Sequence, residues 1–375
     1  MNSIPPIDLM RQYKTIGKEV SAAVQDVLTS GRYIGGPLVE SFEQQFANYV
    51  GAVACVACNS GTDALYLALR ALEIGPGDEV ITTPFTFIAT AEVITAVGAT
   101  PVFIDIDAQT FNFDVTQIAA AITDKTRAIM PVHLFGQPVD MSAVMSIAQA
   151  HDIAVIEDCA QATGAQWQGK KVGSIGHIGC FSFFPTKNLG ACGDGGAVVT
   201  NDESIAASIR KLREHGMASR YCHEATGINS RLDALQAAIL QIKLPYLERW
   251  NDARREVAAY YHQLLNPVPG VVIAQEIAGG HSVWNQYTIR LTKDSSSGNY
   301  RDEVRRRLQQ LGISSMVYYP LALHLQPVYK SLGYQVGQLP VTEQTCHEVL
   351  SLPMFPELSF EEQQQVVYAL KDCLV

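Results

Sequence analysis

Short apolar segments alternate with helical patterns between residues 53 and 200, and this alternation restricts the fold more than any other feature of the sequence. Strand-like runs occur at residues 53–58, 79–84, 100–106, 128–134 and 153–158. Helical patterns occur between them at residues 63–72, 89–97 and near 141–151. Two further strand-like runs, 180–184 and 195–200, predict a hairpin. Strands that alternate with helices are typical of a mostly parallel sheet with both faces covered, so the sequence predicts an α/β fold.

The pattern changes in the second half of the chain, where longer charged helices replace the short strands. One helix is predicted to end at Gly216. A longer helical pattern begins near Arg231, and Pro245 is expected to break or kink it. The rest of the sequence predicts, in order, a strand at 283–291, a polar loop at 294–299 and a helix–strand–helix tail.

The chain of 375 residues exceeds the size at which a single hydrophobic core tends to split. We therefore predict two domains. The first is a large three-layer α/β/α domain over residues 1–245, and the second is a smaller α+β domain over residues 246–375. The N-terminal segment of the large domain could instead pack on the small one.

The composition disfavours several classes of function. The formal net charge is −10, which does not suit nucleic-acid binding. No apolar run resembles a signal peptide or approaches the ~18 residues of a membrane span, so we expect a cytoplasmic protein without membrane contact. Most of the eight cysteines lie in apolar segments, as expected of reduced thiols. Cys55 and Cys58 form a CxxC, which could be half of a zinc site or a redox pair, but no second CxxC or HxxxH follows at a workable spacing. The histidines show no metal-ligand spacing either, so we expect no metal.

One glycine-containing motif gives a false signal. The segment GAQWQGKK at 164–171 matches the first part of a phosphate-binding P-loop, but Lys171 stands where a Mg²⁺-binding hydroxyl is needed. Trp167 and Gln168 also replace the small residues that let backbone amides close on a phosphate. We therefore interpret this segment as a surface turn.

Two segments carry groups that could bind a ligand. In NSGTDALYLAL (59–69) a strand precedes a glycine turn and a helix start, which forms an anion site to which Thr62 adds a hydroxyl; an ordinary helix cap is the alternative. In VIEDCAQATGA (155–165) a strand ends in two carboxylates, where ligands of open α/β sheets bind. Asp158 could pair with a protonated heterocycle nitrogen, whereas Glu157 is interpreted as a helix cap.

A third segment, FSFFPTKNLGACGDGGA (181–197), places Lys187 between an aromatic strand and a glycine-rich turn. Apolar neighbours desolvate a lysine, lower its pKa and make it a nucleophile; a solvated surface lysine is the alternative. Along the chain the order is anion site, aromatic segment, strand-end aspartate and lysine. Pyridoxal phosphate requires such a set, because it needs a Schiff-base lysine and an acidic partner for its ring nitrogen.

Motifs along nearly the whole chain, from RYIGGPLVESFE (32–43) to LPMFPELSFEEQ (352–363), resemble the DegT/DnrJ/EryC1/StrS family of sugar aminotransferases. They include SGTDAL, PFTFIAT, VHLFGQPVDM, EDCAQATGA, FSFFPTKNLGACGDGG, GINSRLDALQAAIL and YYPLALHLQP. The resemblance implies a fold type I, pyridoxal-phosphate-dependent enzyme. It also implies a homodimer with shared active sites.

The same resemblance implies roles for individual residues. Lys187 would hold the cofactor as an internal aldimine and move a proton between Cα and C4′, and Asp158 would keep the pyridine nitrogen protonated. The other implied cofactor contacts are Gly61, Thr62 and Ser182 at the phosphate, Phe87 on the ring face, Gln161 beside the ring, and Asn229 from the neighbouring subunit. The implied sugar and nucleotide contacts are Tyr319, His324, Arg220, Tyr221 and His223.

The intact Lys187 favours transamination, since related sugar dehydratases carry histidine at this position. Glutamate would convert the cofactor to pyridoxamine phosphate, and a nucleotide-linked keto sugar would then accept the amine in a ping-pong cycle. The resemblance is greatest to enzymes of dTDP-linked 3-keto-6-deoxyhexoses, which make amino sugars for polysaccharides or glycosylated small molecules. The alternatives are a 4-keto or UDP-linked substrate, a sugar dehydratase, and a non-catalytic cofactor-binding protein.

Overall fold

The computed structural model of the chain describes residues 3–292 and 300–374. The predicted polar loop at 294–299 lies outside the described residues. The helices are α1 (Leu9–Ser30), α2 (Pro37–Val50), α3 (Gly61–Ala71), α4 (Ala89–Ala96), α5 (Ile118–Ala121), α6 (Met141–His151), α7 (Glu203–Leu212), α8 (Ala234–Lys243), α9 (Leu247–Leu265), α10 (Tyr300–Gln310), α11 (Pro340–Glu348) and α12 (Phe360–Cys373).

The strands form four sheets within the described residues. They are β1 (Ala54–Cys58), β2 (Glu79–Thr82), β3 (Thr100–Phe103), β4 (Thr126–Ile129), β5 (Ala154–Asp158), β6 (Gln166–Trp167), β7 (Lys170–Lys171), β8 (Ile178–Ser182), β9 (Gly196–Thr200), β10 (Met217–Ser219), β11 (Cys222–His223), β12 (Val271–Ile273), β13 (Gly280–His281), β14 (Tyr287–Leu291) and β15 (Val349–Leu352).

The central sheet has seven strands in the order β1-β9-β8-β5-β4-β2-β3. The strands from β8 to β3 run parallel, whereas β9 is antiparallel to both β8 and β1. The predicted hairpin is the β8–β9 pair, in which Phe181 lies opposite Ala197. The sheet is therefore mixed and mostly parallel, as predicted, and the carboxyl ends of its parallel strands meet at one edge.

Alternating side chains bury both faces of this sheet. On β1, Cys55 packs with α2 and α8, while Val56 packs on the opposite face with α3 and α7. On the α2 side, Phe46 meets Phe181 and Phe183 edge to face, with ring centroids 5.0 and 5.2 Å apart. Such pairs add roughly 0.5–1.5 kcal/mol each to their burial. Helices thus cover both faces and fix the position of the strand ends.

A second core lies in the C-terminal part of the chain, where α9, α10 and α12 pack on the sheet β12-β14-β15. The N-terminal segment contributes to it. Ile4 pairs with Ile313, and Arg11 of α1 contacts both carboxylate oxygens of Glu362 at 2.7 and 2.5 Å. The boundary of the two predicted domains at residue 245 stays a prediction. Pro245 itself lies in a 3₁₀ turn between α8 and α9, so the predicted helix break is confirmed.

One predicted helix end was wrong. α7 ends at Leu212 rather than at Gly216. The reason is pairing with a later segment: Glu214 forms a bridge with Asn229, and the N–H of His215 donates to the carbonyl of Ile228. These bonds draw the backbone out of the helix and lead into the hairpin β10–β11.

The predicted strand at 283–291 begins only at Tyr287. The residues before it pair elsewhere, because the N–H groups of Val283 and Asn285 donate to the carbonyls of Gly136 and Phe135. The segment before β14 is thereby tied to a loop of the central sheet.

The glycine-containing segment 164–171 forms the hairpin β6–β7. Gln168 and Gly169 at its tip have φ of 48° and 79°, which is the conformation of a tight hairpin turn. The prediction of a turn instead of a P-loop is confirmed. Among the helices of residues 3–292 and 300–374, none has the length and apolar character needed to cross a bilayer.

Candidate functional site

A cavity of about 410 Å³ opens where the parallel strands end. It lies beside the carboxyl ends of β5 and β8 and the N-terminus of α3, which is the edge where open α/β sheets bind ligands. The predicted site residues that line it are Gly61, Thr62, Phe87, Asp158, Gln161, Ser182, Lys187 and Tyr319. Residues separated by more than 250 positions in the sequence are thus brought into one site.

Asp158 ends β5 with a buried carboxylate. Its Oδ2 accepts a hydrogen bond from the hydroxyl of Thr90 at 2.8 Å, and its Oδ1 accepts one from the N–H of Ala160 at 3.1 Å. Desolvation raises the pKa of this carboxyl, and the two hydrogen bonds and the charge of Lys187 act in the opposite direction. A cation bound in the cavity would therefore stabilise the ionised form of Asp158, which burial disfavours.

Lys187 lies in the loop between β8 and β9, where its N–H donates to the carbonyl of Phe184 at 2.9 Å. Burial lowers the pKa of its amine to about 8, against the opposing charge of Asp158. At pH 7.5 roughly a quarter of such amines are neutral, compared with roughly a thousandth for an ordinary lysine. This agrees with the prediction of a desolvated, nucleophilic lysine.

The start of α3 offers unpaired N–H groups to the cavity. Ser60 caps the helix: its hydroxyl accepts the N–H of Asp63 at 3.1 Å, and its carbonyl accepts the N–H of Ala64 at 3.0 Å. Within the described residues, the N–H groups of Gly61 and Thr62 have no acceptor in the chain. A helix start with free N–H groups is a favourable position for an anion.

Glycine is required at position 61 by the close approach of α3 to the end of β8. A Cβ atom on residue 61 would lie 2.7 Å from the Cβ of Ser182. The hydroxyl of Ser182 accepts the N–H of Phe184 at 3.3 Å and borders the cavity. The free N–H groups of α3 and the hydroxyls of Thr62 and Ser182 therefore form a cradle with the donors that a phosphate group needs.

Gln161 links two walls of the cavity. Its Oε1 accepts the N–H of Phe135 at 2.6 Å, and its Nε2 donates to the hydroxyl of Tyr319 at 3.1 Å. Both polar ends of this side chain are therefore fixed. Phe87 stands at the opening with 57% of its surface exposed, and its ring centroid lies 6.5 Å from that of Tyr319.

Five predicted residues lie outside the lining of this cavity. Arg220, Tyr221 and His223 belong to the exposed hairpin β10–β11. Asn229 is also exposed, in its bridge with Glu214.

His324, the fifth of these residues, does not line this cavity, and its predicted contact with the sugar stays a prediction. Its side chain is fully buried, and its Nε2 lies 3.2 Å from Oε1 of Glu343 on α11. A 3₁₀ turn, Leu323–Leu325, carries the histidine into this packing.

The family model described as the DegT/DnrJ/EryC1/StrS aminotransferase family matches residues 14–371. The chain belongs to this family. The match confirms the predicted family, the aminotransferase class and the dependence on pyridoxal phosphate.

Proteins of the family resemble the chain over almost its full length. The "pleiotropic regulatory protein" of Geobacillus stearothermophilus is 51% identical over 97% of each chain. A UDP-N-acetyl-3-dehydro-α-D-glucosamine 3-aminotransferase of Acidithiobacillus ferrooxidans is 46% identical over 99% of this chain and 98% of its own. A dTDP-3-amino-3,4,6-trideoxy-α-D-glucose transaminase of Streptomyces venezuelae is 42% identical over 98% and 96%.

The crystal structure of DesV from S. venezuelae in complex with a ketimine intermediate has the same architecture. It superposes with a TM-score of 0.95, is 41% identical, and covers 100% of this chain and 99% of its own. The predicted fold type I architecture is therefore confirmed.

Several residues of this family member's cavity were not singled out from the sequence. Thr90 bonds to Asp158, and Thr86 bonds in turn to Thr90 at 3.1 Å. Both threonines belong to the motif that contributed Phe87, so the spacing of that motif was the available signal. Gln286 also lines the cavity, but it lies in a segment that the sequence assigned to a strand.

Glu157 does not cap a helix, contrary to the prediction. It points to the opposite side of β5 from Asp158 and is fully buried. Its carboxylate lies 3.0 Å from Nε2 of His133 and accepts the N–H groups of Gly173, Ile175 and Gly176 at 2.6–3.0 Å.

Glu157, His133 and Cys159 place potential metal ligand atoms within 4.8 Å of one another. The Nδ1 of His133 accepts the N–H of Val139, so its Nε2 carries the proton and donates to Glu157. Because His133 and Glu157 are already paired to each other and to the backbone, they act as a structural anchor for β5 and the segment that follows it.

Proposed function

We propose that this chain transfers the amino group of glutamate to a dTDP-linked 3-keto-6-deoxyhexose, with Lys187 as the catalytic base and acid. The proposal rests on one observation: a single cavity holds two ionisable groups whose pKa values are shifted in opposite directions. Lys187 offers an amine whose pKa is lowered to about 8, and Asp158 offers a buried carboxylate whose pKa is raised. Ionisable groups whose pKa values are shifted by burial and by each other's charge are typical of catalytic sites.

The residues that line the cavity fit pyridoxal phosphate. Lys187 would hold its aldehyde carbon, and the cradle of Gly61, Thr62 and Ser182 would hold its phosphate. When bound, this cofactor supplies an electron-withdrawing ring that acidifies the Cα hydrogen of an attached amine. Asp158 would hold a proton at the ring nitrogen, because a buried carboxylate strongly favours a cationic partner.

Lys187 would then take the proton from Cα of the donor and return it at C4′. An amine titrating near pH 8 suits both steps, because it is close to balanced between its acid and base forms. Thr90 would keep the carboxylate of Asp158 oriented. Gln161 would lie beside the ring, held by Phe135 and Tyr319, and Phe87 would cover the ring from the open side.

We further propose a cytoplasmic homodimer in which each cavity is completed by the partner chain. Asn229 is exposed and lies outside the cavity of its own chain, as expected of a residue that contacts a neighbour's phosphate. The hairpin β10–β11 carries Tyr221 with 81% of its surface exposed, next to Arg220 and His223. This hairpin would reach the nucleotide, and Tyr319 would contact the sugar.

The relatives support a 3-amino sugar product. The names of the Acidithiobacillus and Streptomyces enzymes both specify an amine at C3, although the nucleotides are UDP and dTDP. A UDP-linked or 4-keto substrate is the alternative within this class. Incubation with glutamate and each keto sugar, followed by mass spectrometry of the products, separates these substrates. It also detects a dehydratase, whose product loses water without gaining an amine.

A second candidate is a regulatory protein without transaminase activity, which the name of the Geobacillus relative favours. The two functions differ in a simple experiment. Purified protein with pyridoxal phosphate should change its absorption spectrum when glutamate is added, as the cofactor takes up the amine. Lys187→Ala should show neither this change nor turnover. A wild-type spectrum that glutamate leaves unchanged would refute the aminotransferase proposal.

A further inference from the structure

Three buried asparagines meet directly behind the loop that carries Lys187. Asn188 is 4% exposed, Asn251 of α9 is 0% exposed, and Asn285 before β14 is 6% exposed. The Nδ2 of Asn188 donates to Oδ1 of Asn251 at 2.7 Å, and the Nδ2 of Asn285 donates to Oδ1 of Asn188 at 2.8 Å. The three side chains thus form one continuous chain of amide hydrogen bonds.

The amide group of Asn188 is fully paired. Its second N–H donates to the carbonyl of Val283 at 2.9 Å, in addition to the bond to Asn251. At the far end, Nδ2 of Asn251 donates to the carbonyl of Thr163 at 3.1 Å. A buried polar network of this kind favours one arrangement of its members, because other arrangements leave desolvated groups without partners.

The network holds the backbone on both sides of Lys187. Asn188 follows the lysine, and Asn285 also donates to the carbonyl of Thr186, which precedes it, at 3.4 Å. One further contact supports the loop, because Lys243 donates to the carbonyl of Gly190 at 2.7 Å.

The anchors of the network lie on elements outside the loop. Asn251 belongs to α9. Asn285 belongs to the segment whose N–H groups bond to Gly136 and Phe135, and its neighbour Gln286 lines the cavity. Through these contacts the position of the lysine backbone is set by the second half of the chain.

We propose that Asn188, Asn251 and Asn285 are positioning residues for Lys187: they hold its backbone so that the amine stays in the cavity. The catalytic meaning of this inference rests on the proposed function, whereas the hydrogen bonds behind it lie within the chain itself. A purely structural role is the competing explanation. It predicts that loss of the network lowers the free energy of unfolding without a selective effect on Lys187.

The test measures the reactivity of Lys187 in the full chain prepared without cofactor. Competitive labelling with acetic anhydride at a series of pH values, read by mass spectrometry of the Lys187 peptide, gives the pKa of the amine. A loosened loop exposes the amine to water and moves its pKa from about 8 towards the value of an ordinary lysine. A rise of the pKa by about one lowers the neutral fraction at pH 8 from roughly a half to a tenth, so the pH of half-maximal labelling rises by about one. This half-titration pH does not depend on how easily the reagent reaches the amine.

The variants are Asn188→Ala and Asn285→Ala, with Gln363→Ala as the matched control. Gln363 is a fully buried amide on α12 that donates to the carbonyl of Val257, remote from the cavity. We expect the half-titration pH of Lys187 to rise by about one and the capture of pyridoxal phosphate to slow in both network variants, but wild-type values in the control. Asn285→Ala tests the inference independently if Asn188→Ala does not fold.

A double variant checks that the network acts as a unit. Asn251→Ala should raise the half-titration pH of Lys187 in the wild-type background and have little further effect in Asn188→Ala, because its link to the loop is already lost. An unchanged half-titration pH in the network variants, or an equal rise in Gln363→Ala, would overturn the inference. If the wild type itself captured no pyridoxal phosphate, the proposed function would fail, whereas the labelling result would still decide the inference.

Discussion

Substitution of Gly61 by alanine tests whether the approach of α3 to β8 forms the phosphate cradle. The added Cβ would lie 2.7 Å from Cβ of Ser182 and 3.2 Å from its Oγ. Carbon atoms in contact prefer about 3.5–4.0 Å with a well of roughly 0.1–0.2 kcal/mol. A 6–12 potential with those values gives about 7 kcal/mol of repulsion at this separation before any relaxation.

Relaxation reduces this repulsion by moving the helix start away from the strand end. Overpacked sites typically retain about 1–3 kcal/mol, and the atoms that move here are the N–H of Gly61 and the hydroxyl of Ser182. Because both border the cavity, we expect the penalty to appear mainly in cofactor binding. The dissociation constant for pyridoxal phosphate should rise roughly 5–150-fold, which corresponds to that free energy.

The assay is an absorbance titration of the cofactor-free chain with pyridoxal phosphate, together with its thermal unfolding. Gly75→Ala is the matched control, since its added Cβ would meet only the carbonyl oxygen of Val97 at an ordinary 3.6 Å. Wild-type affinity in Gly61→Ala would show that the close approach does not shape the phosphate site. An equal loss in Gly75→Ala would trace the effect to general destabilisation.

Three further substitutions test the roles of Lys187, Asp158 and Glu157 separately. Lys187→Met should abolish turnover yet raise the free energy of unfolding of the cofactor-free chain at pH 7 by about 3 kcal/mol in a urea titration; equal stability would contradict a desolvated amine. Asp158→Asn removes the charge that raises the pKa of Lys187. The half-titration pH of the amine, measured by labelling, should therefore fall below about 8, while turnover drops roughly 10²–10⁴-fold. Glu157→Ala leaves His133 and three backbone N–H groups without their acceptor, so the free energy of unfolding should fall by about 3–5 kcal/mol. A decrease of less than about 1 kcal/mol in a urea titration would refute the anchoring role.

The large sheet could be predicted from the sequence because each of its strands is short, apolar and followed by a clear turn or helix signal. The runs at 154–158 and 178–182 are buried on both faces, so burial and periodicity agree there. Helices α1 and α2 were not predicted. In α1 only Ile16, Val20 and Val27 are buried, which gives a weak apolar pattern over a helix of 22 residues.

The chemistry of the site could be predicted where one residue type and its local setting suffice, as for Lys187 and Asp158. Contacts that depend on distant segments could not. Glu157 illustrates the limit: its partners are the loop at 173–176 and His133, and no local pattern reveals them. The chain of amides behind Lys187 joins residues 63 and 97 positions apart, so only the fold brings them together.

The burial that makes Lys187 reactive also weakens the fold. A lysine whose pKa falls from 10.5 to about 8 destabilises the native state at neutral pH by about 3 kcal/mol. Because the native pKa lies below the unfolded one, this penalty is complete below pH 8 and disappears as the pH rises from about 8 to 10.5. The same low-dielectric cavity raises the pKa of Asp158. Since a ligand with a cationic ring nitrogen would stabilise the ionised carboxylate, cofactor binding should recover part of the stability that burial of these groups costs.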